Sequence, residues 1–274
     1  MPLIEIFGYI AALLIGLSLG LIGSGGSILT VPVLVYLFDI DPILATAYSL
    51  FIVGISAMVG GINNARQGLV SYKTGIVFTI PAFIAVYLTR LWLVPALPEN
   101  WVTFNGFSIT KDTGILAIFA ILMVLASISM IRSKKKKAGD IAAAQKALKP
   151  KFNVPMIVLE GTVVGALTGL VGAGGGFLII PALVLFAKLP MKMAVGTSLF
   201  IIAIKSLIGF TGDIQAGQPI DWSFLIIITA IASSGIFFGS YLASKIDGKK
   251  LKKGFGYFVL VMGIYMIIKE LFIN

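Results

Sequence analysis

Apolar residues run in long blocks along this chain, with short polar stretches between them. Blocks at residues 43–63, 74–97, 112–131, 191–211, 222–244 and 254–272 each come near the roughly 20 residues that an α-helix needs to cross a bilayer. Two further apolar stretches, residues 3–38 and 154–187, are too long for one crossing, and a glycine cluster interrupts each. Glycine weakens helix and admits left-handed backbone. GSGGS and GAGGG therefore predict breaks, and each stretch reads as a helical hairpin, with Pro32 and Pro181 as kinks in the following arm.

The blocks repeat. GLIGSGGSILTVP at 20–32 returns as GLVGAGGGFLIIP at 169–181, 149 positions later and without a gap. The same offset carries Ser49, Leu50, Phe51 and Ile52 onto Ser198, Leu199, Phe200 and Ile201, and Gly60 and Gly68 onto Gly209 and Gly217. Glycine-broken apolar segments at matching places in two halves point to the binding site of a secondary transporter.

Composition places this repeat in a membrane. The chain is 58% hydrophobic and 12% charged, with a mean hydropathy of +1.06, well outside the usual globular balance. Residues 3–21 carry Glu5 and lack a basic leading region, so they read as a retained span and not as a cleaved signal. A net charge of +10 would suit nucleic acid, but the basic residues cluster between apolar spans, at 132–151 and 245–253. These read as cytoplasmic loops; an RNA-binding or anionic-lipid role for the first loop is the alternative.

Both basic loops lie on one side only if an even number of crossings separates them, and a hairpin plus two helices satisfies this. Arg66, Lys73, Lys188 and Lys192 then fall inside. Asp39, Asp41, Asp213, Asp221 and both termini fall outside. The expected fold is an all-α polytopic plasma-membrane protein of two inverted-topology repeats, each a glycine-broken hairpin plus three transmembrane helices. Residues 1–133 form the first repeat, 134–152 a basic linker and 153–274 the second.

A helix that begins inside the membrane leaves its first N–H groups unpaired, and the positive end of its dipole suits an anion. Ser24, Gly25, Gly26 and Ser27 in one copy, and Gly174, Gly175 and Gly176 in the other, are the candidate cradle. Their alternative is close packing, which the GxxxG pairs Gly16 with Gly20, Gly165 with Gly169 and Gly235 with Gly239 suggest. Ser49, Thr197 and Ser198 open the next helix in each half and either line the path or bond their own helix carbonyls. Lys205 stands inside an apolar span where its repeat partner is Ser56. It either attracts an anion, snorkels to the interface or pairs with Glu160. Glu160 is a candidate for proton coupling, and Arg66 and Arg90 read as interfacial anchors. With no cysteine and no histidine, disulfides, thiolate metal sites and histidine proton relays are excluded. No metal or cofactor is expected.

The paired glycine motifs followed by a proline, the SLF segment after each and the charged central loop resemble the TauE/SafE sulfite exporter family of bacterial and archaeal permeases. The resemblance runs from about Gly16 to the last helix. It implies a polytopic permease that moves sulfite, organosulfonates or related small anions, generally outward, with membrane lipids and the anion as its partners. Ala173 and Gly176 stand where the first copy has Ser24 and Ser27, so the halves are not expected to bind alike. The lack of cysteine sets the chain apart from thiol-dependent thiosulfate uptake. An anion channel on the same scaffold is the second hypothesis. An integral membrane enzyme is disfavoured, because the chain has neither HExxH nor a clustered acidic metal set.

Overall fold

The computed structural model of the chain describes residues 3–22, 26–104, 107–132, 154–185, 187, 189–243 and 248–270. Ser24, Gly25 and most of the basic stretch 132–151 lie outside them. The described residues are helical almost throughout. Helices α1 (Leu3–Ile22), α2 (Ser27–Leu37), α3 (Pro42–Arg66), α4 (Tyr72–Leu88) and α5 (Lys111–Ile131) precede the basic stretch. After it come α6 (Val154–Val171), α7 (Gly176–Leu185), α8 (Met191–Gln215), α9 (Trp222–Ala243) and α10 (Gly248–Ile268).

Both glycine-broken stretches fold as paired helices. At 11 and 10 residues, α2 and α7 are each about 16 Å long, half the depth of a bilayer. The α2 arm turns back along α1: Ile15 and Leu19 pack with Leu29 and Val33, and the Phe38 ring lies against Gly8 and edge-on to Tyr9 at 5.5 Å. Both ends of this hairpin are therefore at one end of the bundle. In the second stretch, Ile157 and Val164 of α6 share a buried cluster with Ile179, Ile180 and Leu183 of α7.

The 149-residue offset extends to backbone detail. Helices α3 and α8 have 25 residues each and identical offsets at both ends. Ile40 N donates to Leu34 O at 3.1 Å and Leu189 N to Leu183 O at 3.0 Å. Gly68 and Gly217 close α3 and α8 in left-handed turns, with φ of +69° and +79°. Asp41 caps α3, accepting from Ile43 N and Leu44 N, and Pro42 fills the first helical position, where its missing N–H costs nothing.

The halves interlock. Helix α1 packs on α9 and α6 on α4, while α3 pairs with α8 and α5 with α10. Close backbone approach makes the first two contacts possible: Gly16 faces the Ala232 carbonyl, Gly239 the Leu17 carbonyl and Gly165 the Ala82 carbonyl. Small residues let helices approach this closely where lipid supplies no hydrophobic drive. The outer surface carries Trp92, Leu159, Phe237, Phe238 and Val261, as lipid contact requires.

Among the described residues, five helices are long and apolar enough to cross a membrane. The sixth expected span, 254–272, falls on α10 and runs beyond the described residues; the apolar part described there is Gly256–Ile268. Two features were not expected. Helix α4 continues through a π-helical turn, Thr89–Leu93, to Ala96. A β-hairpin then pairs β1 (Asn100–Phe104) antiparallel with β2 (Phe107–Thr110); the intervening Asn105-Gly106 dipeptide is the favoured two-residue hairpin sequence.

The packing glycines and the turn glycines differ in what a side chain would cost. Gly16→Ala forces a methyl into the Ala232 carbonyl and is expected to destabilise by about 2 kcal/mol or more. Gly68→Ala meets open space and carries only left-handed strain of about 1 kcal/mol. Thermal unfolding in detergent followed by size-exclusion fluorescence checks the order; equal losses would contradict the helix-contact account.

Candidate functional site

The turn of the second hairpin is left-handed at Gly172, Gly174 and Gly175, with φ of +68°, +61° and +72°. It reaches the start of α2. A Cβ added at Gly174 would lie 2.6 Å from Val53 Cγ1 and 3.2 Å from the Ser27 Cβ. Ile28 and Val31 beside Ser27 share a buried cluster with Val171 and Ala173. The second glycine-rich break and the start of α2, distant in sequence, therefore meet in the protein interior against α3, where Thr46, Ser49, Val53 and Ser56 recur at helical spacing. Both short helices open alike, with Leu29 N donating to Gly26 O and Leu178 N to Gly175 O, each at 3.0 Å. The helix-starting N–H groups and positive dipole ends of α2 and α7 lie at this junction.

Lys205 supplies a buried amine. It is completely buried, and its Nζ donates to Thr168 Oγ1 at 2.8 Å. Thr168 in turn donates to the Gly165 carbonyl at 3.2 Å. The amine belongs to the hairpin turn, since a Cβ at Gly175 would sit 3.4 Å from Nζ. No carboxylate lies within ion-pair distance of it among the described residues. Glu160 is partly exposed on α6, eight residues before Thr168 and so about 12 Å away along the axis. Neither a Glu160 pair nor snorkelling accounts for Lys205. On α3, Ser49 Oγ is buried with no hydrogen-bond partner, a state that native interiors seldom leave unexplained.

The remaining expected site residues divide. Ser27 and Gly176 are buried at the starts of α2 and α7, and Gly26 packs against Ile15, Ser18 and Leu19. Ser198 donates to its own helix at Val195 O, 2.8 Å, and Thr197 Oγ1 accepts from Ser71 N at 2.9 Å, holding the start of α4. These two hydroxyls are committed to helices. The interfacial-anchor expectation fails for Arg90. It is fully buried in the π-helical turn and meets Asp213, also buried and not in an external loop, at 3.3 Å.

Comparison with known proteins agrees with this architecture. Residues 9–266 match the model of the family described as "Sulfite exporter TauE/SafE". The chain belongs to the TauE/SafE family. Curated relatives include a "Probable membrane transporter protein" of Xylella fastidiosa (strain 9a5c), 28% identical over 93% of this chain and 91% of the relative. Another is "Probable membrane transporter protein YunE" of Bacillus subtilis, 28% identical over 95% of each. A third, MJ0441 of Methanocaldococcus jannaschii, is 37% identical over 41% of this chain and 44% of its own length. No solved structure matches the chain. This TauE/SafE protein is a multi-pass membrane transporter and not an enzyme.

Sequence reasoning about this TauE/SafE chain missed Thr168. The signal was present: Leu19 and Ser56 in the first half become Thr168 and Lys205 in the second, so a hydroxyl appears opposite the amine where both change. The Thr197 contact yields a check. Thr197→Val is expected to lower stability by about 1 kcal/mol through loss of the α4 cap, whereas Ser198→Ala stays within about 0.5 kcal/mol. Equal thermal shifts for the two would contradict the capping assignment.

Proposed function

We propose that this TauE/SafE protein is a secondary transporter of small sulfur-containing anions, such as sulfite or organosulfonates, and exports them by alternating access. The observation that carries this reading is the buried Lys205 amine, without a carboxylate partner among the described residues, beside the junction of the second hairpin turn and the start of α2. A buried cation without a counter-ion is costly, and an anion held there repays that cost. Lys205 Nζ retains two donors, Ser49 Oγ faces no protein partner, and the N–H groups opening α2 and α7 add backbone donors of the kind that suits sulfite oxygens. Sulfur chemistry and outward direction follow the family description.

Residues 1–133 and 153–274 act as two inverted repeats joined by the basic linker 134–152, with basic loops in the cytoplasm and both termini outside. The repeated α3 and α8 boundaries, the paired left-handed glycines and the interlocked helices support the duplication, and the charge placement supports the inversion. The halves rock about the hairpin junction. Glu160 is the nearest available carboxylate on α6 for proton coupling.

The test is uptake of radiolabelled sulfite into liposomes carrying the purified protein, competed with sulfate, taurine, sulfoacetate and chloride, with and without a pH gradient. Saturable flux with counterflow is expected; large unitary currents would favour a channel instead. Lys205→Met is expected to cut kcat/KM by more than about tenfold, since a hydrogen bond to a charged group contributes about 1.5–3 kcal/mol. Ser49→Ala is expected to weaken sulfite transport while leaving the unfolding temperature unchanged or raised, because its hydroxyl satisfies no protein group. Wild-type transport retained in full by Lys205→Met would overturn the site.

A further inference from the structure

A second buried cation stands apart from the hairpin junction. Arg90 is fully buried in the π-helical turn Thr89–Leu93 and faces Asp213 near the end of α8. Their single contact, Nη1 to Oδ1, is 3.3 Å, longer than the 2.7–2.9 Å usual for charge-assisted bonds. Arg90 Nε and Nη2 have no partner, and neither does Asp213 Oδ2. A guanidinium and a carboxylate ordinarily close a two-bond fork, and a buried pair repays its desolvation only when that geometry is good and the remaining donors are satisfied. This pair does neither. It is thus a poor structural tie and leaves one edge of the guanidinium open.

Its position connects it to the path. A Cβ added at Gly212 would lie 3.0 Å from the Arg90 Cβ, and one added at Gly169, three residues before the hairpin turn, would lie 2.9 Å from the Thr89 Cβ. Asp213 follows Lys205 by eight residues on α8, about 12 Å along its axis. The repeat equivalents are uncharged: Gly239 for Arg90 and Asn64 for Asp213. Asn64 bonds its own helix at Gly60 O. Duplication therefore did not impose this pair on the second position. π-Helical turns recur at functional sites.

We infer that Arg90 is a second anion station between the hairpin junction and the α8–α9 end of the bundle. Its free Nε and Nη2 take two oxygens of the passing oxyanion, and Asp213 competes for the same guanidinium and so releases the anion. The inference rests on the anion-transport reading and adds a site to it.

The experiment is sulfite flux and equilibrium dialysis with the full-length protein, wild type against Arg90→Lys and Asp213→Asn, alongside thermal unfolding of each. Arg90→Lys keeps the charge but loses the two-point fork, and KM is expected to rise about tenfold. Asp213→Asn removes the competitor, so sulfite binds more tightly and turnover slows. Opposite shifts in affinity support the station. If both variants lower the unfolding temperature and leave wild-type KM and binding unchanged, the pair is structural and the inference is overturned while the transport reading stands. If one variant fails to fold, the other decides by the sign of its affinity change. A wild-type protein that neither binds nor moves sulfite overturns both.

Discussion

The fold is organised around a buried amine that finds no carboxylate partner among the described residues. Lys205 lies deep in a helical bundle with a threonine hydroxyl as its partner, in a medium where an unpaired cation costs on the order of 3 kcal/mol. Such a group persists only where its function offsets that cost. Helices α2 and α7 are only 11 and 10 residues long, their opening N–H groups lie at the same junction, and α3 carries a buried serine hydroxyl with no hydrogen-bond partner.

The glycines make this junction possible in two ways. At Gly172, Gly174 and Gly175 they supply the left-handed backbone of a turn that must reverse at depth while touching Val53 and Ser27. At Gly16, Gly165 and Gly239 they are ordinary helix residues whose missing side chains let α1 sit on α9 and α6 on α4. The hairpin of each half is thereby clamped to the other half. Relative movement of the halves would shift both hairpin breaks together, which is what a shared central site in an alternating-access carrier needs.

Much of this was legible in the sequence because it depends on long patterns. Apolar block length marked the helices, the glycine runs marked the breaks, and the 149-residue offset marked the two halves as copies. What resisted reading depends on single contacts. Ser49 and Ser198 are equivalent by repeat, yet Ser198 bonds Val195 and Ser49 bonds nothing; hydropathy cannot separate them. Arg90 near the end of an apolar block looks like an interfacial anchor, and only the partner 123 residues away on another helix reveals a buried pair. The β-hairpin escaped because its strands, of five and four residues, fall between helices whose apolar signal dominates, although Asn105-Gly106 was there to be read.

The central claim is that Lys205 and the two hairpin breaks hold one anion. A structure of the full-length protein determined with sulfite tests this most directly. The account predicts density for one anion within hydrogen-bond distance of Lys205 Nζ, close to Ser49 and Gly176, with the Lys205–Thr168 bond loosened or shared. Sulfite bound elsewhere, with Lys205 still held by Thr168 alone at an empty junction, would contradict it.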